Sequence, residues 1–255
     1  MILLLSPAKR LDFTPLEGKW SESEILFPKQ TQELAAVMQR QSPKKIAKLM
    51  DLSEALAKLN HERYSNWHFP FHSEESKQAL FAFQGDVYIG LDTASLDTME
   101  VNWAQDHVRI LSGLYGYLRP LDRILPYRLE MGTSLKVGQK KNLYEYWGDK
   151  LANALKSDLN KEGNLILNLA SEEYAKAARL EKTGAQIITP QFKDWSNGQY
   201  KMLQFFVKKA RGMMTRFVIQ NQITKAEDIL DFSADGYGYN AELSSPGKPV
   251  FTRKK

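Results

Sequence analysis

A run of basic residues without acidic neighbours is the strongest chemical signal in the sequence. Between Trp195 and Ala226 there are six lysines and arginines and no aspartate or glutamate, although the net charge of the whole chain is only +5. These cations are Lys201, Lys208, Lys209, Arg211, Arg216 and Lys225. A helix predicted over 208–222 would gather several of them on a face that attracts a polyanion, because each neutralised phosphate releases counterions. The alternative interpretation is an ordinary solvated face whose acidic partners lie elsewhere in the fold.

A glycine-containing segment at 111–120 is a second candidate for phosphate binding. Its residues are Leu-Ser-Gly-Leu-Tyr-Gly-Tyr-Leu-Arg-Pro. We expect a helix over 97–111 to end at Gly113 and another to begin at Pro120, with two glycines between them. This pattern is like a helix-hairpin-helix, in which backbone N–H groups approach a phosphate, although the usual hairpin has one residue fewer between its glycines. A plain glycine cap and turn between packed helices is the alternative.

Two more groups of polar residues follow predicted buried strands. The segment Ser-Pro-Ala-Lys at 6–9 comes after the apolar run 1–5, and Ser-Glu-Glu at 171–173 comes after the apolar run 164–170. If the two strands are parallel, both segments lie at the sheet edge where α/β proteins bind ligands. Lys9 could hold a phosphate or act as a nucleophile there, and the glutamates could be catalytic. The alternatives are a surface lysine after a turn and acidic residues that favour a helix N-terminus.

The elements that would position these residues alternate between strands and helices. Strands are predicted over 1–5, 85–90, 164–170, 185–189 and 199–207, and helices over 31–59 with interruptions, 74–82, 97–111, 143–159 and 208–222. The pair Asn197-Gly198 predicts a hairpin turn. The chain has 255 residues, of which 43% are hydrophobic, and no internal repeat or low-complexity linker. We therefore expect a mixed α/β fold in a single compact domain, 1–255.

Several classes of chemistry are excluded or unsupported. The chain has no cysteine, which removes disulfides, thiolate zinc sites, iron–sulfur clusters and cysteine nucleophiles. His68 and His72 are separated by Pro70 and cannot share a helix face, so no metal site is predicted. No Walker-type loop or Gly-x-Ser-x-Gly elbow is present, and no cofactor is expected. The first apolar run is too short for a signal peptide or a membrane span, so we expect a cytoplasmic protein without a membrane partner.

Taken together and in order, these segments resemble the YaaA family of bacterial peroxide-stress proteins over nearly the whole chain. The motifs that carry the resemblance are LSPAK at 5–9 with LD at 11–12, FQGDVY at 83–88, LSGLYG at 111–116, LRPLD at 118–122, PYRLEMG at 126–132, YWG at 146–148, NLAS at 168–171 with EY at 173–174, and KKARG at 208–212. Each motif is weak by itself, and the set in register is highly specific. Arg10 is a departure, because the family pattern has threonine at this position.

The resemblance implies a cytoplasmic protein of the response to hydrogen peroxide, associated with limiting damage from free iron and with DNA repair. It also implies a mixed α/β fold with a positively charged cleft and a helix-hairpin-helix-like element that binds DNA. It implies no enzyme reaction. We therefore expect DNA, as duplex or repair intermediate, to be bound through its phosphates with little sequence preference. The expected contacts are Lys9, Arg109, Gly113, Gly116, Arg119, Lys208, Lys209, Arg211 and Arg216.

A second hypothesis stays open beside DNA binding. The chain could be an enzyme that acts on a nucleotide or another small anionic substrate in the same cleft. Its site would gather Lys9, Arg128, Glu173 and Lys209. A small, deep pocket would favour this hypothesis, whereas a wide, shallow basic groove would favour DNA. The oligomeric state is not predicted by the sequence.

Overall fold

The helices and strands alternate along the chain, as seen in a computed structural model that describes residues 1–16 and 20–254. The strands are β1 (Ile2–Leu5), β2 (Arg10–Leu11), β3 (Lys77–Gln78), β4 (Phe83–Gln84), β5 (Val108–Ser112), β6 (Gly116–Leu118), β7 (Arg123–Ile124), β8 (Leu165–Asn168), β9 (Gln186–Ile188), β10 (Gln191–Ser196), β11 (Gln199–Lys201), β12 (Gly238–Tyr239) and β13 (Val250–Arg253). The α-helices are α1 (Pro28–Gln39), α2 (Pro43–Met50), α3 (Glu54–Ser65), α4 (Ala79–Ala82), α5 (Asp86–Leu91), α6 (Thr98–His107), α7 (Leu143–Trp147), α8 (Lys150–Glu162), α9 (Glu172–Ala178) and α10 (Gln204–Gln220). The expected mixed α/β content is confirmed.

Strand β1 is the centre of a five-stranded sheet with the order β6-β5-β1-β8-β9. β1 is parallel to β5 on one side and to β8 on the other, and β9 continues the parallel set. All four residues of β1 are buried, as expected for a strand covered on both faces. The predicted strands over 1–5 and 164–170 are therefore parallel neighbours, and their carboxyl ends meet at one edge. Ligand crevices of open α/β sheets form at such an edge, where the strand order reverses.

The second large sheet has four strands in the order β11-β10-β13-β12. Asn197 and Gly198 form the turn between β10 and β11 with positive φ angles of 52° and 79°. Two consecutive positive φ angles are typical of a type I′ turn, so the predicted hairpin is confirmed. Both large sheets contribute buried apolar residues to one packed cluster, for example Leu4 of β1 and Phe251 of β13.

The predicted strands at 85–90 and 199–207 are wrong in whole or in part. Residues 86–91 form helix α5, and residues 204–207 already belong to helix α10. The two helices cross so closely that a Cβ atom on Gly212 would lie 1.8 Å from the carbonyl oxygen of Val87. Tertiary packing of this kind overrides the strand preference of a short run such as Val-Tyr-Ile.

The segment expected to be a helix-hairpin-helix is a β-hairpin. Helix α6 ends at His107, and the chain continues as β5 and returns antiparallel as β6, with Ser112 paired to Gly116. Gly116 has a φ of 77°, which suits a tight turn between strands. No helix begins at Pro120 in the described residues, where β7 is the next element. The error has a physical origin, because a short apolar run fits a buried strand as well as a helix.

The sequence also predicts one helix over 143–159, and the structure has two. Helix α7 ends at Trp147, Gly148 has a φ of 52°, and α8 begins at Lys150. Within the described residues, none of the helices has the length and apolar character needed to cross a membrane.

Candidate functional site

A cleft of about 480 Å³ opens at the carboxyl end of β1. Its walls come from the loop after β1, the entry into α5, the loop after β7, the start of α9, and α10. The lining residues are 6–10, 84–88, 127–130, Ser171, Glu173, Tyr174, Lys208 and Arg211. The sheet edge predicted from the parallel arrangement of β1 and β8 is therefore part of this cleft.

The cleft contains more cationic than acidic side chains. Its cations are Lys9, Arg10, Arg128, Lys208 and Arg211, and its acidic residues are Asp86, Glu130 and Glu173. Glu130 contacts two of the cations, since its carboxylate lies 2.8 Å from Nζ of Lys9 and 3.1 Å from Nη2 of Arg128. Among the described residues, Lys208 and Arg211 have neither an ion pair nor a side-chain hydrogen bond. The positive charge of these two α10 side chains is therefore not neutralised by the part of the protein that the structure describes.

Arg211 is the most unusual of these cations in its environment. Its Nε atom is buried and has no hydrogen-bond partner, and the same is true of Nε of Arg128. Burial lowers the pKa of the Arg211 guanidinium below its ordinary value, and no acidic side chain opposes this effect. A desolvated guanidinium without a counter-ion is unfavourable, so an anion that enters the cleft and accepts its hydrogen bonds stabilises it.

The position of Arg211 depends on how α10 meets α5. Lys208 and Arg211 are three residues apart and lie on one face of α10. Gly212, directly after Arg211, has no side chain to hold the two helices apart, so the backbone of α10 reaches Val87 of α5. Val87 and Tyr88 of α5 line the cleft together with these cations. The motif KKARG therefore combines two cleft cations with the glycine that allows their approach.

Hydrogen bonds hold the loops around the cleft in place. Oγ of Ser6 accepts the N–H of Ser171 at 2.8 Å, which joins the loops after β1 and β8. The hydroxyl of Tyr88 donates to the carbonyl oxygen of Ser6 at 3.0 Å. Glu173 accepts the N–H of Gly132 through Oε1 at 2.6 Å. Glu173 thus connects the start of α9 to the loop after β7. This is a structural role for a residue that the sequence suggested as catalytic.

Three tyrosine side chains form part of the cleft wall. Burial raises the pKa of Tyr88, Tyr127 and Tyr174 well above the ordinary value, so their hydroxyls stay neutral. The hydroxyl of Tyr127 lies 2.7 Å from Oγ of Ser112 and is fixed by that hydrogen bond. The tyrosines and Glu130 were not among the predicted site residues. They belong to the motifs FQGDVY, PYRLEMG and the EY pair at 173–174, and those motifs were the signal that could have found them.

The structure brings only part of the predicted DNA contacts to the cleft. Lys9, Lys208 and Arg211 line it, whereas Lys209 and Arg216 project from α10 toward other elements. Nζ of Lys209 lies 3.8 Å from a carboxylate oxygen of Asp235. Nη1 of Arg216 donates to the carbonyl oxygens of Leu91 and Asp92 at 3.1 and 3.0 Å. The basic run is thus divided between the cleft and the attachment of α10 to its neighbours.

Arg109 and Arg119, two other predicted contacts, are paired within the fold. Arg109 is 4% exposed, and its Nε lies 2.7 Å from Oδ2 of Asp158 on α8. Arg119 donates from Nη2 to the carbonyl oxygen of Glu24 at 2.9 Å and pairs with the buried carboxylate of Asp122. Both guanidinium groups are engaged by the fold: Arg109 by the distant Asp158, and Arg119 by the nearby Asp122 and the distant backbone carbonyl of Glu24.

The two glycines predicted as DNA contacts are packed inside the protein. Gly113 and Gly116 are both buried in the β5–β6 hairpin. A Cβ atom on Gly113 would lie 2.3 Å from the carbonyl oxygen of Leu129, and one on Gly116 would lie 2.7 Å from the Trp147 ring. Their role is close packing, and their N–H groups do not face an open surface.

The structure brings three of the four residues of the second hypothesis to one cavity. Lys9, Arg128 and Glu173 line the cleft, and Lys209 does not. Lys208 lies in the cleft instead, one position earlier on α10. The described residues contain no group of three or more His, Asp or Glu side chains arranged to hold a metal ion.

Comparison with known proteins decides the family. A family model described as "Peroxide stress protein YaaA" matches residues 1–243. The chain belongs to this family. The resemblance inferred from the sequence motifs is thereby confirmed, and the YaaA description supports a role in oxidative stress.

Relatives named UPF0246 proteins are similar to this YaaA-family chain over its length. The protein from Shewanella sp. (strain W3-18-1) is 48% identical over 257 residues, which cover 100% of this chain and 99% of that protein. The protein from Aromatoleum aromaticum is 47% identical over 259 residues, with the same coverage. The protein from Hahella chejuensis is 45% identical over 254 residues, with 99% of each chain covered.

Proposed function

We propose that this YaaA-family protein is a cytoplasmic DNA-binding protein of the response to hydrogen peroxide, which holds DNA phosphates at the cleft and helps limit iron- and peroxide-driven damage. The observation that carries the proposal is the pair Lys208 and Arg211, which have no counter-ion in the described chain and line the same opening as Lys9, Arg10 and Arg128. Phosphate diesters supply the missing negative charge. The family description supports the oxidative-stress part of the proposal.

The contact set in this proposal differs from that expected from sequence. Lys9, Arg10, Lys208 and Arg211 supply the charge at the cleft, and the buried glycines of the β5–β6 hairpin supply none. Side chains of this kind contact the phosphate backbone and carry little base information. Binding is therefore weakly sequence-selective and strongly dependent on salt concentration.

The test is a fluorescence anisotropy titration of a labelled duplex at several salt concentrations. The slope of log K against log salt is about −0.9 for each phosphate neutralised. The charge-reversed variant Lys208→Glu with Arg211→Glu loses two contacts, so we expect the slope to flatten by about 1.8 and the affinity to fall at least about tenfold at ~0.1 M salt.

The matched control is Lys45→Glu with Lys48→Glu. These residues are exposed on α2, have the same three-residue spacing, and do not line the cleft. The control changes the net charge by the same amount, so it separates a local contact from a general charge effect. Equal losses of affinity in both variants, or no loss in either, would remove the cleft from the DNA-binding surface.

A further inference from the structure

The cations of the cleft lie around a cavity, and this limits what can reach them. The Nε atoms of Arg128 and Arg211 are shielded from solvent. The cavity volume of about 480 Å³ is in the range of small-molecule sites. A DNA duplex, whose major groove alone is about 12 Å wide, is too broad to enter a cavity of this volume. A duplex can place phosphates at the rim against Lys9, Lys208 and the outer end of the Arg211 side chain, but the shielded Nε atoms need a smaller ligand that enters the cavity.

Another part of the cavity wall is suited to a flat, uncharged group. Tyr88, Tyr127 and Tyr174 line the cavity together with Val87 and Leu129. The hydroxyls of Tyr88 and Tyr127 are already hydrogen-bonded to Ser6 and Ser112, which fixes the two rings. Enzymes and binding proteins that take up a single nucleobase combine aromatic and apolar walls with a few polar groups in this way.

The charge balance favours a ligand with a small negative charge. Glu130 already contacts Lys9 and Arg128, and Asp86 and Glu173 also line the cavity. A polyphosphate would bring several negative charges next to three carboxylates. A single phosphate group matches the charge that Lys208 and Arg211 leave unneutralised.

We propose that the cavity receives one nucleotide unit, with its phosphate at Arg211 and Lys208 and its base against the tyrosine wall. The ligand class is a nucleoside monophosphate unit. It reaches the cavity either free in solution or as an unpaired nucleotide turned out of DNA held at the rim, and the second route rests on the proposed function. A mismatched or damaged base is the easiest to turn out, because it has least stacking and pairing to lose.

The first arm of the test uses free ligands and isothermal titration calorimetry. Adenosine 5′-monophosphate is compared with adenosine and with inorganic phosphate, which each supply half of the proposed ligand. We expect the monophosphate to bind at least about tenfold more tightly than either half. The variant Arg211→Met, which keeps the length of the side chain and removes its charge, should lose this binding, and Lys208→Gln should weaken it. Thermal unfolding confirms that each variant is folded, and Lys45→Met is the control.

The second arm uses a duplex that carries one 2-aminopurine opposite a mismatched base. The fluorescence of this base rises when it leaves the stack. We expect a rise with the wild-type protein and none with Arg211→Met at saturating concentrations of either protein. If the monophosphate binds and the fluorescence does not rise, the ligand of the cavity is the free nucleotide. If the fluorescence rises, the ligand is a nucleotide turned out of the duplex.

The outcomes separate this proposal from the proposed function. If intact duplex binds with a steep salt dependence but neither arm gives a signal, the nucleotide cavity is overturned and DNA binding at the rim stands. If neither duplex nor monophosphate binds, both proposals are overturned. Binding of inorganic phosphate and monophosphate with equal affinity also overturns the nucleotide assignment, because the base would then contribute nothing.

Discussion

The Nζ atom of Lys9 lies 2.8 Å from Oε2 of Glu130, across the mouth of the cleft. The other carboxylate oxygen of Glu130 lies 3.1 Å from Nη2 of Arg128. One acidic side chain thus acts as the internal counter-ion of two cleft cations. A phosphate that enters the cleft has to compete with this carboxylate.

Removing the charge of Glu130 should therefore strengthen DNA binding. The side chain of Lys9 is 64% exposed, so the ion pair is worth only about 0.5–1 kcal/mol. We expect Glu130→Gln to raise the affinity for duplex DNA about two- to fivefold and to make its salt dependence steeper, as measured by anisotropy. Glu181→Gln, an exposed residue outside the cleft, is the control and should change neither quantity. A fall in affinity for Glu130→Gln would mean that the carboxylate orients the cations and does not compete with the ligand.

Gly212 should be essential to the helix crossing that positions Arg211. A Cβ atom there would lie 1.8 Å from the carbonyl oxygen of Val87, so α5 and α10 must move apart in Gly212→Ala. We expect a loss of about 1–3 kcal/mol in the free energy of unfolding and weaker ligand binding by the folded fraction. Gly238→Ala is the control, because no atom lies within 4 Å of its added Cβ. Unchanged stability and affinity in urea unfolding and anisotropy experiments on Gly212→Ala would contradict this account.

Arg109 should affect stability and not DNA binding. Its Nε lies 2.7 Å from Oδ2 of Asp158, which also accepts the hydroxyl of Tyr117 at 2.7 Å. Arg109→Met leaves this carboxylate without its cation, and we expect a loss of about 3 kcal/mol in urea unfolding. The double variant Arg109→Met with Asp158→Leu should recover part of the loss, since it leaves no unpaired charge. A variant of normal stability with weakened DNA binding would instead make Arg109 a DNA contact.

The buried tyrosines should make the folded protein less stable at alkaline pH. Burial raises the pKa of Tyr64, Tyr88 and Tyr174 well above the ordinary value of 10.0, so the folded protein keeps these protons where the unfolded chain loses them. The stability they contribute is complete below pH about 10 and decreases as the pH rises above that value. We expect tyrosinate absorbance from these residues to appear together with loss of circular dichroism, in one cooperative step.

The control for the alkaline experiment is the same titration in concentrated denaturant. The tyrosines should then ionise near their ordinary pKa, because no burial remains. A smooth rise of tyrosinate absorbance near pH 10 in a protein with native circular dichroism would show that these rings are accessible.

Several features were readable from the sequence because they depend on local chemistry. A run of apolar residues from Met1 to Leu5 predicts a strand buried on both faces, and the Asn197-Gly198 pair predicts the turn that both residues form. The family motifs contained the cleft residues Lys9, Lys208 and Arg211. Each of these signals is contained in a few consecutive residues, so no knowledge of distant contacts was needed.

Other features were decided by contacts between residues far apart in the chain. Short apolar runs fit a helix or a strand, so contacts outside each run decided between them. The close crossing with α10 accompanies the helix at 86–91, and pairing with β1 and β6 makes 108–112 a strand. Composition shows that α10 is basic, but the positions of Asp92 and Asp235 determine which of its cations form ion pairs. Arg109 and Arg211 look alike in sequence, and the fold buries one beside Asp158 and leaves the other facing the cleft without an acidic partner in the described chain. The sequence by itself determined which charges the protein carries, and the tertiary structure decided which are neutralised, because an ion pair depends on distance in space and not along the chain.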